Sequence, residues 1–296
     1  MFRSITLKAP AKINLILDIV GKRADGYHNL RSVMQAISIF DYVTLNVKGE
    51  KCELPEISIT CDKPDIPTDE SNIAYKACKA FFNHSGEMPF KKIKIHIEKN
   101  IPSGAGLGGG SADGAAVLIG LNRLCNYIYS VEELCKIGAS VGADIPFCIN
   151  GGTALCEGIG EIITPLKPLP ECEILVVKPE ISISTPLSYK KFDELDNPRL
   201  SDFDAFINAL ENYNLQRISF TLSNSLEDVT DESIINDIKN DMLKSGALGS
   251  VMTGSGSAVF GIFDDKTAAE KCAEKFNEQM FSQVCKPLES GSEIVN

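Results

Sequence analysis

Glycine occupies five of the seven positions from 104 to 110, within a segment at 101–112 that reads IPSGAGLGGGSA. Because glycine has no side chain, the backbone N–H groups of such a loop can approach a ligand closely. An alternating segment, IKIHI at 93–97, precedes the loop, and an apolar helical pattern at 112–124 follows it. A strand, a glycine loop and a helix N-terminus together concentrate N–H donors and partial positive charge. The segment therefore predicts a binding site for phosphate.

Two well-known phosphate-binding motifs fit this segment less well. A Walker loop has Lys followed by Ser or Thr after its second glycine, whereas Gly110 stands at the Lys position here, which excludes that motif. Gly104, Gly106 and Gly109 fit the G-x-G-x-x-G spacing of dinucleotide-binding folds. That fold also expects an acidic residue at the end of a second strand about 20 residues later, but the acidic pair at 132–133 opens a predicted helix. A dinucleotide fold is therefore disfavoured, and a glycine turn without a ligand stays open as another interpretation.

Three motifs in the chain resemble those of the GHMP kinase family, which includes galactokinase, homoserine kinase, mevalonate kinase and phosphomevalonate kinase. They are PAKINL at 10–15, PSGAGLGGGSA at 102–112 and MTGSGSA at 252–258, and together they span nearly the whole chain. Two further segments, ADGYHNL at 24–30 and GADIPF at 142–147, resemble one branch of this family. That branch phosphorylates a cytidine diphosphate sugar-alcohol on the non-mevalonate route to isoprenoid precursors.

The resemblance implies an α+β GHMP kinase fold with two domains, and a length of 296 residues also exceeds what one hydrophobic core usually serves. The N-terminal domain, 1–160, is expected to resemble ribosomal protein S5, to bind ATP and to carry the catalytic residues. The C-terminal domain, 161–296, is expected to be an α/β sandwich that binds the substrate. The expected cofactors are ATP and Mg²⁺, since Mg²⁺ offsets the charge of a triphosphate. The sequence offers no dedicated carboxylate pair for the metal, so no residue is assigned as a metal ligand.

Asp144 is the predicted catalytic carboxylate. It lies between Ala143 and an Ile-Pro-Phe segment, so its neighbours along the chain are apolar. Pro146 restricts the residue before it to extended geometry, which predicts a bend at this point. A carboxylate beside an attacking hydroxyl can orient it and accept its proton. The alternative is that Asp144 only accepts hydrogen bonds from turn amides.

Lys12 is predicted to pair with Asp144. It lies on an otherwise apolar strand at 11–19, and a buried lysine is unusual without an acidic partner. Its ammonium could keep the carboxylate ionised and stabilise the transferred phosphoryl group. Asn14, two residues further, faces the same side of the strand and is implied to contact the substrate. An outward lysine on an edge strand is the alternative, and the sequence leaves open whether Lys12 or Asp144 is the base.

The resemblance assigns the remaining site residues by their positions in the motifs. Tyr27 and His28 are implied to bind the cytosine, with Tyr189 stacking on its other face; ordinary core packing is the alternative for the aromatic residues. Gly254 and Gly256 are implied to let the backbone close over the phosphates and substrate, with a plain tight turn as the alternative. The residues implied to bind ATP are Pro102, Ser103, Gly104, Ala105, Gly106, Leu107, Gly108, Gly109, Gly110, Ser111, Ala112, Lys99 and Asn72. For Ser111 the alternative is helix capping.

Sequence patterns place these residues on strands, loops and helix starts. Alternating or apolar runs predict strands at 4–8, 11–19, 42–48, 57–61, 93–97, 153–157, 174–178 and 258–263. Helical patterns cover 69–82, 112–124, 201–244 with polar breaks, and 266–280. The SVEE segment at 130–133 is a capping box that opens another helix. The last residues, 289–296, are expected to be loose.

Composition and charge limit the function classes. A net charge of −11 argues against general nucleic-acid binding, which needs a basic surface, but permits a local basic pocket. Ten cysteines without a C-x-x-C pair, and only three histidines, predict reduced thiols and no zinc site. The chain shows no signal peptide and no apolar stretch near the roughly 20 residues of a membrane span, so a cytoplasmic protein is expected. Its expected partners are ATP and the substrate, in a monomer or homodimer.

The predicted reaction is ATP-dependent phosphorylation of the 2-hydroxyl of a cytidine diphosphate sugar-alcohol. One alternative is another GHMP kinase acting on mevalonate, phosphomevalonate or homoserine, which would not need Tyr27 and His28 to bind a base. A second alternative is a non-catalytic ligand sensor on the same fold. Such a sensor could dispense with Lys12 or Asp144, so the presence of both argues against it.

Overall fold

The computed structural model describes residues 2–49, 55–85, 89–276 and 280–295. Its strands are β1 (Phe2–Lys22), β2 (His28–Gly49), β3 (Glu56–Cys61), β4 (Phe90–Glu98), β5 (Thr153–Gly158), β6 (Ile162–Pro165), β7 (Glu173–Lys178), β8 (Ser223–Asn224), β9 (Gly249–Met252), β10 (Val259–Phe263), β11 (Phe281–Cys285) and β12 (Glu293–Ile294). Its helices are α1 (Ile73–Ser85), α2 (Gly109–Leu124), α3 (Val131–Ala139), α4 (Ile145–Asn150), α5 (Thr185–Phe192), α6 (Phe203–Glu211), α7 (Leu215–Phe220), α8 (Ser233–Lys244) and α9 (Lys266–Glu274), with a 3₁₀ helix at Ser225–Val229. The strands form two sheets with helices packed against them, which agrees with the predicted α+β class.

A long antiparallel hairpin of β1 and β2 forms the centre of the larger sheet. Eight strands take part in this sheet: the order β12-β1-β2-β4-β3 is its main path, β5 pairs with β2, β6 with β5, and β8 with β1. The β1–β2 register shifts after Pro10, after Asn14 and after Ile19. Such β-bulges bend and twist strands. One half of β2 therefore pairs with β4 and the other half with β5.

Strand β1 is continuous, whereas the sequence predicts two separate strands at 4–8 and 11–19. Pro10 lies opposite Phe40 at the first register shift, where a residue without an N–H interrupts the ladder least. The first half of β2 has no predicted counterpart, because the sequence HNLRSVMQAISIFD at 28–41 does not alternate regularly.

Helix α2 packs across β1 and β2 and carries the end of the glycine loop into the core. Gly120 permits this approach, since a Cβ there would lie 2.6 Å from Leu45 Cδ1. The helix begins at Gly109, before the predicted start, because glycines of the loop form its first turn. The predicted capping box of α3 is confirmed: Ser130 accepts from the Glu133 N–H, and the Glu133 carboxylate accepts from the Ser130 N–H.

The smaller sheet is antiparallel, with the strand order β11-β7-β10-β9. Its strand β7 is buried along its apolar run and confirms the strand predicted at 174–178. Ile174 and Val176 join a core shared with the larger sheet. Leu175 and Val177 face a second core together with residues of α8 and α9. Because side chains alternate along a strand, one strand thus contributes to both cores.

Two predictions near the C-terminus are wrong. Helix α9 ends at Glu274 and β11 begins at Phe281, whereas the sequence predicts helix to 280; residues 277–279 lie outside the described ranges. The segment expected to be loose contains β12, which pairs with β1, while Asn296 lies outside the described ranges. An ion pair of 2.9 Å between Lys8 Nζ and Glu293 Oε2 adds to this strand pairing.

The predicted domain boundary at 160 stays a prediction. Strands β6, β8 and β12 lie later in the chain than this boundary, yet they pair within the larger sheet.

The cysteines of the described residues are free thiols, and Cys52 lies outside them. Within the same described ranges, no helix combines the length and the apolar character needed to cross a bilayer.

Candidate active site

Two adjoining cavities meet at the glycine loop. The first has a volume of about 750 Å³ and the second a volume of about 520 Å³. Gly104, Gly106, Gly108 and Ser111 line both cavities. The first cavity contains the residues predicted for catalysis and substrate binding, and the second contains nearly all of those predicted for ATP. Ligands in the two cavities would therefore meet at the loop.

The glycine loop turns through the left-handed region at Gly106, with φ of 76°, and at Gly108, with φ of 71°. Gly108 is the N-cap of α2, and no side chain caps this helix end. The N–H groups of the first helical turn lack helical acceptors and can bind an anion. The geometry therefore suits the predicted phosphate site. Ser111 lies inside the first turn, so the alternative that it caps the helix is wrong.

The second cavity takes in the loop from Pro102 to Ser111 but not Ala112. Ala112 is buried in the core, and its N–H donates to the N-cap carbonyl of α2 at 2.9 Å, so the structure assigns it to helix packing. Asn72 lines this cavity, but its side chain already has partners. Its Nδ2 donates to Pro67 O at 2.6 Å, and its Oδ1 accepts from the Ala74 N–H at 2.8 Å.

A buried ion cluster lies at the entrance of the glycine loop. Lys99 Nζ donates to Asp41 and, at 2.8 Å, to Asp113 Oδ2, and the three side chains are at most 5 % exposed. Burial opposes the charge of Lys99, yet Asp113 and Asp41 raise its pKa. Asp41 Oδ1 also accepts from the N–H groups of Asn100 and Ile101, at 2.6 and 2.8 Å. Lys99 lines the second cavity, but Asp41 and Asp113 hold its ammonium, and its predicted binding of ATP stays a prediction.

Asp113 makes the stability of the folded protein depend on pH. Its Oδ1 is buried without a hydrogen-bond partner among the described residues. Burial raises the pKa of Asp113 to about 8, although Lys99 opposes the shift. The ordinary pKa of this carboxyl group is 3.8. Between that pH and about pH 8, the folded protein therefore holds a proton that the unfolded chain has released. The stability from this proton is fully present below about pH 4 and is lost as the pH rises through about 8.

We expect Asp113→Asn to remove most of this dependence, because the amide keeps the acceptor for Lys99 but does not ionise. Relative to the wild type, the free energy of unfolding of the variant should rise by more than about 1 kcal/mol between about pH 5 and about pH 8. Urea unfolding at both pH values measures the difference. An equal difference at both values would mean that the pKa of Asp113 is not raised.

Lys12 and Asp144 meet in the first cavity. Lys12 Nζ lies 3.4 Å from Asp144 Oδ2, and the two side chains are 5 % and 29 % exposed. Because the Lys12 side chain is buried and paired with Asp144, the alternative of an outward lysine is wrong. An ion pair shielded from water on one side interacts more strongly than an exposed pair.

The glycine loop fixes the Lys12 side chain. The Lys12 N–H donates to Leu107 O at 2.9 Å. A Cβ at Gly108 would lie 2.9 Å from Lys12 Cγ, so the lysine stem passes directly over the loop backbone. The missing side chain at Gly108 therefore makes room for the chain's own lysine as well as for a phosphate.

Asp144 precedes α4 with helical backbone angles, φ of −80° and ψ of −10°. The prediction that Pro146 holds Ile145 extended is wrong, because Ile145 is the first residue of α4 and Pro146 lies in its first turn. A proline is tolerated there, since the N–H it lacks would have no helical acceptor. The Asp144 side chain makes no capping hydrogen bond, so the alternative of a carboxylate occupied by turn amides is not supported.

Asn14 connects the Lys12–Asp144 pair to its surroundings. Its Oδ1 accepts from Lys12 Nζ at 2.8 Å, which confirms that both side chains share one face of β1. Its Nδ2 donates to Ser32 Oγ at 2.9 Å. Its N–H donates to Thr253 Oγ1, also at 2.9 Å. Both ends of the Asn14 amide are therefore fixed beside Lys12.

The second glycine turn closes the site from the opposite side. Gly254 and Gly256 have φ of 56° and 86°, and the Gly256 N–H donates to Thr253 O at 3.0 Å. This segment is a tight turn, as the alternative states, and its glycines also line the first cavity. The Ala258 N–H donates to Ala105 O at 3.1 Å, so the turn is joined to the glycine loop.

Aromatic rings line the far end of the first cavity. His28 and Tyr189 stack with 4.9 Å between their ring centroids and 27° between their planes. Burial raises the pKa of Tyr189 to about 12, so its hydroxyl stays protonated. Tyr27 is 61 % exposed, which excludes core packing for this ring. Tyr189 thus stacks directly on His28, whereas the sequence predicts it on the opposite face of a bound base; base binding by these rings stays a prediction.

A short turn holds Tyr27 at the rim of this cavity. Asp25 Oδ1 accepts from the Tyr27 N–H at 3.1 Å. A hydrogen bond from Arg23 lowers the pKa of Asp25, and the Arg23 guanidinium lies 2.9 Å from Asp25 Oδ2. Gly26, with φ of 87°, allows the chain to reverse between them.

Sequence reasoning does not identify three residues that support the site. Thr253 lies inside the motif at 252–258, so its position is a usable signal. Ser32 lies in the irregular half of β2, and Asp193 follows α5, where a polar residue is ordinary. Asp193 Oδ1 nevertheless lies 2.7 Å from His28 Nε2. No local sequence pattern predicts this contact.

The chain matches models of both halves of one protein family. Residues 72–152 match the model described as GHMP kinases N terminal domain. Residues 196–282 match the model described as GHMP kinases C terminal. The first match contains the glycine loop and Asp144, and the second contains the glycine turn at 254–256.

Individual relatives agree with these matches. A 4-diphosphocytidyl-2-C-methyl-D-erythritol kinase of Clostridium perfringens is 46 % identical over 271 residues, which cover 90 % of this chain and 92 % of that protein. The crystal structure of a 4-(cytidine 5'-diphospho)-2C-methyl-D-erythritol kinase has a TM-score of 0.76 at 29 % identity, covering 97 % of this chain and 99 % of that one. Homoserine kinase from Cytophaga hutchinsonii has a TM-score of 0.77 at 20 % identity, covering 99 % and 97 %, and shows a shared fold alone. The chain therefore belongs to the GHMP kinase family and has its two-domain fold of mixed helices and strands.

Proposed function

We propose that the chain is an ATP-dependent kinase that phosphorylates the 2-hydroxyl of 4-diphosphocytidyl-2-C-methyl-D-erythritol, hereafter the cytidine substrate, in non-mevalonate isoprenoid precursor biosynthesis. The observation that carries this function is the first cavity. It contains the Lys12–Asp144 pair and, at its other end, the rings of Tyr27, His28 and Tyr189. A substrate with both a reacting hydroxyl and a nucleotide base uses both ends. The relative named for this activity, 46 % identical, supports the same substrate.

ATP binds in the second cavity, with its phosphates against the loop from Gly104 to Ser111. The uncapped N-terminus of α2 and the left-handed glycines support this placement. Because Gly104, Gly106 and Gly108 line both cavities, the terminal phosphate would point toward the substrate.

In the reaction, the substrate hydroxyl oxygen forms a bond to the γ-phosphorus, and the bond from this phosphorus to the β–γ bridging oxygen breaks, so that ADP leaves. Asp144 orients the hydroxyl and accepts its proton. Lys12 acts as a cation rather than as the base, because its Nζ donates to Asn14 Oδ1 and lies beside the Asp144 carboxylate. Its charge stabilises the negative charge that develops on the transferred phosphoryl group.

Mg²⁺ is the second cofactor in this proposal, because its charge offsets that of the triphosphate. Among the described residues, no three His, Cys, Asp or Glu side chains cluster as a metal site. Ser111 lines both cavities, and its hydroxyl would be a suitable supporting ligand. The metal would therefore be held by Ser111, phosphate oxygens and water.

A substrate panel tests the function. ADP release is measured with ATP, Mg²⁺ and either the cytidine substrate, mevalonate, phosphomevalonate or homoserine. We expect kcat/KM for the cytidine substrate to exceed the others by more than about 10³-fold, because only this substrate uses the aromatic end of the cavity. Phosphorus NMR of the product should show one new phosphomonoester and an intact diphosphate.

Each other outcome points to a different function. Faster turnover of mevalonate, phosphomevalonate or homoserine would reject the substrate but retain a kinase of the same family. Ligand binding without turnover of any substrate would indicate the non-catalytic sensor. The cytoplasmic location and the monomeric or homodimeric state, both expected from the sequence, remain proposals.

A further inference from the structure

His28 is held by a carboxylate that belongs to none of the motifs. It is the first residue of β2, and its side chain is 8 % exposed. His28 Nε2 lies 2.7 Å from Oδ1 of Asp193, the residue that follows α5. The other carboxylate oxygen, Oδ2, lies 2.6 Å from Nζ of Lys22, the last residue of β1. Asp193 thus ties the end of the β1–β2 hairpin to α5.

This contact decides which nitrogen of His28 carries a proton. Hydrogen bonds from Lys22 and His28 lower the pKa of Asp193, so its carboxylate is ionised and can only accept. Nε2 therefore donates. A neutral imidazole has a single N–H, so Nδ1 keeps its lone pair and acts as an acceptor.

Tyr189 fixes the plane of the same ring. It stacks on His28 at 4.9 Å, and it lies one helical turn before Asp193, whose N–H donates to Tyr189 O at 3.0 Å. Helix α5 therefore contacts His28 through both the face and the edge of its ring. Turning Nε2 into the cavity would break the contact with Asp193. Since His28 lines the first cavity, Nδ1 is the ring nitrogen left for a ligand.

We propose that Asp193 is a positioning residue that sets base selectivity by holding His28 as an acceptor at Nδ1. The inference rests on the proposed function, in which His28 contacts the cytosine. Cytosine presents an amino group, a donor, where the corresponding position of a uracil-type base presents a carbonyl oxygen, an acceptor. Nδ1 accepts from the cytosine amino group and repels the carbonyl oxygen. The Asp193–His28 pair therefore selects cytidine over uridine diphosphate substrates.

Asp193→Asn tests this role. The amide keeps the shape of the side chain but can turn its NH₂ group toward Nε2, which permits the other tautomer of His28. Asp231→Asn is the matched control. Asp231 Oδ2 lies 2.5 Å from Nζ of Lys191, a residue of α5. Asp231 does not line the first cavity. Both variants remove a carboxylate that anchors α5, but only one changes the partner of His28.

Two measurements read the effect. Nitrogen NMR of the imidazole rings, in a chain with three histidines, should show His28 protonated at Nε2 alone in the wild type and in Asp231→Asn, and a mixture of tautomers in Asp193→Asn. Asp193→Asn should raise KM for the cytidine substrate about tenfold, or about 1.4 kcal/mol, with little change in kcat. The ratio of kcat/KM for the cytidine substrate to that for its uridine analogue should fall about tenfold.

Two results would overturn the inference: a wild-type His28 that carries a proton on Nδ1, or an unchanged cytidine-to-uridine ratio in Asp193→Asn. If Asp193→Asn raised KM for the cytidine and uridine substrates equally, their kcat/KM ratio would be unchanged. Asp193 would then be a structural support only, and the inference would fail. If the wild type turns over neither substrate, the proposed function fails. The NMR comparison in the free protein still tests whether Asp193 fixes the tautomer.

Discussion

Asp144→Asn should lower kcat about 10³-fold without disturbing the fold. The amide has nearly the same shape as the carboxylate but cannot take the proton of the substrate hydroxyl. It also removes the negative charge 3.4 Å from the Lys12 ammonium. Because the Asp144 side chain is 29 % exposed, its change should affect the reaction more than folding. Steady-state kcat with the cytidine substrate measures the loss, and urea unfolding checks the fold.

Lys12 and Asp144 should act as one unit in the proposed reaction. Lys12→Met retains the side-chain stem that passes over Gly108 and removes the charge that is paired with Asp144. In the double variant the two losses in kcat should not multiply, because groups that act together are non-additive. The comparison of the two single variants with the double variant is a double-mutant cycle for this pair.

Asp241→Asn is the control for these variants. Asp241 is a half-exposed residue of α8 whose Oδ1 lies 3.9 Å from Lys244 Nζ, and it lines neither cavity, so Asp241→Asn should leave kcat unchanged. If Asp144→Asn turned over substrate at nearly the wild-type rate with normal unfolding, Asp144 would not be the base. Losses that multiplied in the double variant would mean that Lys12 and Asp144 act independently.

The Lys12–Asp144 pair can be predicted from the sequence because each residue is charged and has apolar neighbours along the chain. A lysine in an apolar strand and an aspartate before an apolar segment each need a partner when buried. Their support cannot be predicted in this way. The Asn14 amide reaches Ser32 because the bulged β1–β2 register brings these residues together. The Lys12 stem lies over Gly108 because the glycine loop packs against β1. No local pattern specifies where bulges fall.

Asp193 and Lys99 also show that tertiary contacts cannot be predicted from the local sequence. Asp193 looks like an ordinary polar residue after a helix, and its role arises from His28, 165 positions away. Lys99 looks like a free cation beside a phosphate loop, but Asp41, 58 positions away, and Asp113 hold its ammonium. Tertiary pairing can therefore add a functional residue that the sequence hides, or engage one that the sequence suggests is free.

Gly106→Ala should abolish most activity and destabilise the protein by about 3 kcal/mol or more. The added methyl would overlap Thr253 O and would lie 3.0 Å from Thr253 C and 3.3 Å from Gly256 N. These are backbone atoms, and the hydrogen bond of 3.1 Å from the Ala258 N–H to Ala105 O keeps the two segments together. The bare backbone at Gly106 is thus required by the protein's own second glycine turn as well as by a phosphate.

Gly104→Ala separates this clash from backbone strain. Gly104 also lies in the left-handed region, with φ of 61°, but a Cβ there would meet nothing within 4 Å. The variant should therefore cost only about 1–2 kcal/mol of strain. Urea unfolding should show a loss for Gly106→Ala that exceeds the loss for Gly104→Ala by about 2 kcal/mol. Equal losses would mean that the contact between the two glycine segments contributes nothing. Because that contact joins the glycine loop, which lines the second cavity, to a turn that lines the first, Gly106→Ala should raise KM for both ATP and the cytidine substrate.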